Sequence, residues 1–191
     1  VALHEAGYLR VNTDRYRDEA ETIRAAVEEQ GYNEEMESYV ATFDGDRVDA
    51  SLLLLPFYGY TEATAPRMKS TFVRHHEELA QDGLLYRYPP GTDDGLSSEE
   101  GAFGICSFWD EEMFARLGRL EEAQENLDRT LAYANDLGLF AEEIDPETSA
   151  FLGNFPQAFT HVGLINAVLT LQKARDGTLA TLDEPVEHAR S

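Results

Sequence analysis

Two loops in this sequence carry residue types that can do chemistry together. One runs Ala141-Glu142-Glu143-Ile144-Asp145-Pro146 and continues to Gly153-Asn154-Phe155-Pro156-Gln157. Glu142 follows Leu139, Phe140 and Ala141 outside any good helix-capping position, so burial there has to be compensated by function or by partners. A catalytic carboxylate has that character; an acidic loop residue facing solvent is the plainer alternative. The other loop brings Tyr86, Arg87 and Tyr88, ahead of Pro89-Pro90, towards Glu99 and Glu100 at the head of an apolar stretch. Aromatic faces, a guanidinium and carboxylates suit a sugar, whose ring face stacks while its hydroxyls take charged hydrogen-bond partners. For Glu99 and Glu100 the alternative is an ordinary helix start capped by Ser97 or Ser98.

Other chemistries find little support. His75 and His76 lie on a charged helical stretch and His161 enters an apolar one alone, so no metal site and no cofactor is expected. The single cysteine, Cys106, forbids an intrachain disulfide and sits in the most apolar stretch as a core residue. No nucleophile elbow, phosphate loop or dinucleotide fingerprint occurs. The 37 acidic against 15 basic residues give a net charge of -22, which disfavours nucleic acid. Lys69 and Lys173 are the only lysines. An acidic surface almost without lysine is expected of a salt-adapted, halophilic protein, since self-repulsion is screened within about 3 Å at 1 M salt. No apolar run is long enough for a membrane span, so no membrane partner is expected. The visible N-terminus lacks a signal-peptide pattern, and a cytoplasmic location is the expectation.

The elements that must position these loops come in three rounds. Residues 13–30 carry Tyr16, Ala20, Ile23, Ala26 and Val27 at helical spacing, with Thr13 or Asp14 to cap and Gly31 to stop. A β-prone stretch, 39–43, and a turn lead to residues 48–57, apolar on nearly every face and read as a buried helix. The charged helix 66–81 is followed by the apolar helix 99–117. The charged helix 121–137 is followed by the apolar helix 159–171, and Gly83 and Gly118 are expected stops. This alternation predicts an all-α fold of three helical hairpins laid side by side, one helix of each in an outer layer and one in an inner layer. Residues 1–176 form that unit, and residues 177–191, with Pro185, are expected to fray.

Several stretches in order resemble a known family: Gly83-Leu84-Leu85-Tyr86-Arg87-Tyr88, Glu99-Glu100-Gly101-Ala102-Phe103 with Cys106-Ser107-Phe108-Trp109, Ala134-Asn135-Asp136-Leu137-Gly138-Leu139, Ala141-Glu142-Glu143-Ile144-Asp145-Pro146, and Gly153-Asn154-Phe155-Pro156-Gln157-Ala158-Phe159-Thr160-His161. Over most of residues 32–171 the chain is similar to the C-terminal part of glycoside hydrolase family 15, the glucoamylase, glucodextranase and trehalase family. The resemblance implies half of an (α/α)6 toroid and inverting, exo-acting hydrolysis of α-glucosidic bonds in an α-glucan or trehalose-type saccharide. It places the general base on Glu142 and a sugar-hydroxyl ligand on Arg87, with Tyr86 and Tyr88 beside it and Glu99 or Glu100 at the rim.

The departure from the family pattern is equally specific. The family's general acid lies in a Trp-Glu stretch upstream of the base, whereas the only tryptophan here is Trp109, inside an apolar helix. Inversion needs two carboxyl groups on opposite sides of the scissile bond. The chain alone is therefore expected to be inactive, and the alternative is a non-catalytic helical scaffold or carbohydrate-binding remnant. Either a missing N-terminal half or self-association is expected to cover the inner helices. If Glu142 is the base, its carboxylate should face the same cavity as Arg87; if it points away, the base assignment fails and Glu143 becomes the residue to test.

Overall fold

The computed structural model describes residues 2–92 and 100–179. Glu99, the Ser97/Ser98 cap and the tail from residue 180 lie outside them. The described chain is mostly helical: α1 (Ala2–Glu5), α2 (Thr13–Gln30), α3 (Pro66–Leu79), α4 (Gly104–Arg116), α5 (Leu120–Leu131) and α6 (Ala158–Arg175). Short antiparallel pairs join them: β1 (Tyr32–Asn33) with β2 (Ser38–Tyr39), β3 (Ala80–Gln81) with β4 (Leu84–Leu85), and a three-stranded ribbon of β5 (Ala102–Phe103), β6 (Glu143–Ile144) and β7 (Phe151–Leu152).

Every residue of α4 from Gly104 to Ala115 is buried, as an inner helix requires. On one side α5 meets it through Ala123, Asn126, Leu127 and Thr130. On another, α6 presents Thr160, Gly163, Ala167, Thr170 and Leu171. The α4–α6 approach is close enough to demand glycine: a Cβ at Gly104 would come within 2.7 Å of Thr160 Cγ2, and one at Gly163 within 2.9 Å of Ile105 Cγ1.

Four expected helices differ in extent, and the one expected over residues 121–137 ends at Leu131, after which the Asn135 side chain takes the Leu137 and Leu139 N–H groups into a turn. Residues 48–57 do not form an inner α-helix; only Ala50–Leu54 winds, as a 3₁₀ turn. Pro56 has no N–H to extend the ladder, and the Ala50 N–H is committed to the Arg87 carbonyl at 3.0 Å. Leu53 is nonetheless buried, so the segment fills the core without being a long helix. The helix expected from residue 99 starts at Gly104, because Ala102 and Phe103 pair with Ile144 and Glu143. The helix expected to reach residue 81 ends at Leu79 and passes into β3. Gly83 is then a hairpin residue rather than a helix stop, and Asp82 and Gly83 both take positive φ, as a two-residue turn requires.

Two helices carry apolar stripes left exposed by the described residues. Phe159, Val162, Ile165 and Leu169 line the face of α6 opposite α4 and are about half exposed. An inner layer exposed in part, or covered by a second copy, is the expectation for this chain, and Ile165 lies on the exposed face. On α2, expected to bury one side, no residue is buried, and Tyr16 and Ile23 are exposed. A polar clamp holds α2 instead. The Arg24 guanidinium lies over the Tyr60 ring, and Glu28 accepts from Tyr60 (2.7 Å), Tyr39 (3.0 Å) and Arg67 (2.9 Å). Burial pulls the Glu28 carboxyl up, but these hydrogen bonds outweigh it and hold it below its usual range. Burial and the Glu28 carboxylate push the Tyr39 hydroxyl up to about 12.

Three consecutive acids, Asp110, Glu111 and Glu112, are buried on α4. Asp110 accepts from His76 (3.1 Å) and Asn126 (2.9 Å), and Glu112 accepts from Thr170 (3.1 Å). Neither oxygen of Glu111 has a hydrogen-bond partner among the described residues. The nearby Thr130 hydroxyl gives its proton to the Gly83 carbonyl at 3.0 Å. Burial raises all three carboxyls, Glu111 most.

Candidate active site

The loops that precede α4 and α6 gather on one rim of the helical layers. A groove of about 610 Å³ opens there, lined on one wall by Tyr86, Arg87, Tyr88, Glu100 and Gly101 and on the other by Asp145, Glu147 and Leu152. Four of the six residues singled out in the sequence therefore share one cavity. Arg87 is fixed by Asp49, its Nε donating at 2.7 Å and Nη2 at 3.2 Å, and its guanidinium carbon lies 5.2 Å from the Tyr88 ring centre. Burial raises the Tyr86 hydroxyl, and the negative charges of Asp145 and Glu147 across the groove add to it.

The second wall is a built turn. Asp145 accepts from the Glu147 N–H at 2.9 Å and from the Thr148 hydroxyl, and its N–H donates to the Ala150 carbonyl at 2.9 Å. The Thr148 hydroxyl and the backbone N–H groups hold the Asp145 carboxyl below its usual range. The turn thus presents Glu147 at the mouth with its backbone already ordered.

Glu142 is not among the residues that line this groove. It sits one residue before β6, where its carbonyl accepts the Gly104 N–H at the start of α4 (2.9 Å). Its Oε2 accepts from the Asn154 backbone N–H (3.0 Å) and side-chain amide (2.8 Å). Gly153 makes room for it: with φ at +68°, a Cβ there would lie 2.8 Å from that oxygen. No hydrogen bond reaches Oε1 among the described residues, so one oxygen is oriented and the other can accept from water. Asp145 follows Glu142 by three residues, about 10 Å along an extended chain, whereas Leu152 of the same wall pairs with Glu143, the residue next to Glu142.

Glu143 is likewise not among the residues that line the groove; its Oε2 accepts at 3.0 Å from the N–H of Gly101, which does line it. Asp49, Asn154, Asp145 and Glu147 were not singled out in the sequence as site residues. Asp49 lies inside the apolar run 48–57, which gives it no signal of its own; in the fold it caps the 3₁₀ turn by accepting from the Ser51 N–H at 2.8 Å. The buried His75 ring lies against the Thr71 and Asp49 carbonyls, and His161 against that of Gln157. Among the described residues no three His, Cys, Asp or Glu side chains converge as a metal site would need, and no helix is long and apolar enough to cross a membrane.

Residues 2–127 and 120–169 match the profile of glycosyl hydrolases family 15. A trehalase of Mycolicibacterium smegmatis is 42% identical over 163 residues, 85% of this chain and 24% of that protein. A trehalase of Thermoplasma volcanium is 40% identical over 153 residues, 80% of this chain and 24% of that protein. This chain thus spans about a quarter of the length of the curated relatives it matches. Among solved structures, a wild-type glycosidase superposes with a TM-score of 0.69 at 20% identity, covering 81% of this chain and 43% of that one. A variant glycosidase in complex with glucose gives 0.67 at 19% identity, with the same coverage. At those identities the likeness is one of fold.

Proposed function

Because the chain belongs to glycosyl hydrolase family 15, we propose that it is the base-bearing part of an inverting α-glucosidase built as an (α/α)6 toroid, with a trehalose-type disaccharide as its foremost substrate. The observation that carries this is the half-satisfied carboxylate of Glu142 at the head of α4, in a chain whose curated relatives are trehalases. Glu142 Oε1 takes a proton from water as that water attacks the anomeric carbon, while Asn154 keeps the carboxylate oriented. Arg87, with Tyr86 and Tyr88, grips the glucosyl unit, and Glu100 lines the rim. The acid that protonates the leaving oxygen comes from helices this chain does not contain, and those helices cover the apolar stripes of α2 and α6.

The test completes the toroid by fusing these residues behind the preceding part of the Mycolicibacterium smegmatis trehalase. The fusion is expected to release glucose from trehalose, and the 191-residue chain alone to release none. A well-folded, monodisperse fusion inactive on trehalose, maltooligosaccharides and dextran would move the reading to a sugar-binding remnant.

Salt adaptation belongs to the same reading, since a net charge of -22 repels itself over about 10 Å at 0.1 M salt but only about 3 Å at 1 M. The thermal midpoint is expected to rise from low to molar potassium chloride. A flat or falling curve would remove this element.

A further inference from the structure

We propose that Asp49 is a positioning residue for sugar binding, one that acts by locking the Arg87 guanidinium in the groove. The inference rests on the reading of that groove as a glucosyl site. Asp49 does not line the groove; it lies in the neighbouring cleft beyond Tyr88, Pro89 and Thr92, which line both. It reaches the site only through Arg87, whose Nε and Nη2 it accepts at 2.7 and 3.2 Å. A guanidinium has five N–H donors in a rigid fork, so the pair consumes two and leaves the remaining edge for sugar hydroxyls.

The lock is itself held from three directions. Asp49 Oδ1 also accepts from the Ser51 N–H at 2.8 Å, which fixes the carboxylate at the start of the 3₁₀ turn. The Asp49 carbonyl lies 3.0 Å from Nε2 of the buried His75 on α3. Immediately after it, the Ala50 N–H donates to the Arg87 carbonyl at 3.0 Å, so backbone and side chain of Arg87 are tied to the same segment. With a side chain only 14% exposed, Asp49 keeps its charge out of bulk water, where the fork geometry sets the direction of the arginine. This also gives a purpose to residues 48–54, which fill the core without making a long helix: they carry the anchor for an arginine 38 residues away.

The test uses the isotopically labelled 191-residue chain with trehalose and maltose as probes. The groove is formed within this chain, so millimolar binding is expected, read from the Arg87 Nε–H resonance. Asp49→Asn keeps the cap on the 3₁₀ turn and removes the charge. It should weaken trehalose binding about tenfold and speed solvent exchange of the Arg87 Nε–H. Combined with Arg87→Lys, it should add no loss beyond that of Arg87→Lys alone. Asp49→Asn within twofold of wild type, while Arg87→Lys weakens binding, would overturn the positioning role and leave the sugar site standing. A wild-type resonance that neither probe shifts would sink the sugar reading of the groove itself, and this inference with it. Asp49→Ser, another capping residue, guards against misfolding of the first variant; unfolding of both would assign the pair to the fold alone and overturn the proposal.

Discussion

In the completed enzyme, Glu142→Gln is expected to lower kcat by roughly 10²- to 10⁴-fold while KM moves only a few-fold, the size of effect a lost general base produces. Glutamine keeps the volume beside Gly153, where an oxygen already sits in a space too tight for a Cβ. It can also still accept from the Asn154 N–H, so the loop should hold its shape. What it cannot do is take a proton from water. Glu143→Gln is the comparison that decides between the adjacent acids. Glu143 accepts the Gly101 N–H and sits within a strand pair, so its loss should disturb the groove wall and raise KM more than it lowers kcat. The reverse pattern, with Glu143→Gln abolishing turnover and Glu142→Gln tolerated, would transfer the base to Glu143. Neither acid is among the residues that line the groove around Arg87, so the kinetic split and not the groove lining decides between them.

The difference between what was legible in the sequence and what was not follows the range of the interactions. Helices α2, α3 and α5 announce themselves through apolar spacing and charge, α6 through the length of its apolar run, and the Gly31 stop falls at the cap. A continuous apolar run such as residues 48–57 has no period to read, so a buried 3₁₀ turn and a buried helix look alike. The two-residue strands that shorten the start of α4 are set by pairing between positions over 40 residues apart, Ala102 with Ile144. The same holds at the site. Tyr86, Arg87 and Tyr88 are contiguous and legible together as candidate site residues, whereas Asp49 is coupled to them only in three dimensions. The acids of α4 were overlooked for another reason: Asp110, Glu111 and Glu112 look like the solvent face of a helix, and only the packing of α5 and α6 around α4 encloses them.

That enclosure makes Glu111→Leu an expected stabilising change, with a pH signature. Both Glu111 oxygens are buried without a hydrogen bond among the described residues, so ionising the side chain would place an unpaired charge beside Asp110 and Glu112. Its folded-state pKa is raised, so the folded protein holds a proton that the unfolded chain gives up near pH 4.5. The associated stability is fully present below that pH and is lost as pH rises through the folded value. Asp110, Glu112 and His76 are raised too and add in the same direction. His75, lowered by burial, and Glu28, lowered by its hydrogen bonds, oppose them on the acid side. Between about pH 4.5 and 6.5 the three raised carboxyls work against the single lowered His75, so wild-type stability should be greatest near the acid end of that range and decline as pH rises through neutrality. Replacing a buried charged group by an apolar one of similar volume gains about 1–4 kcal/mol, which for a chain of this size raises the midpoint by several degrees. Thermal unfolding at pH 5 and pH 8, in fixed salt, separates the causes. Glu111→Leu should gain most at pH 8 and little at pH 5, where the wild-type carboxyl keeps its proton. An equal gain at both would mean that packing rather than charge limits α4, and a loss at both would mean that Glu111 has a partner when the chain is folded in solution.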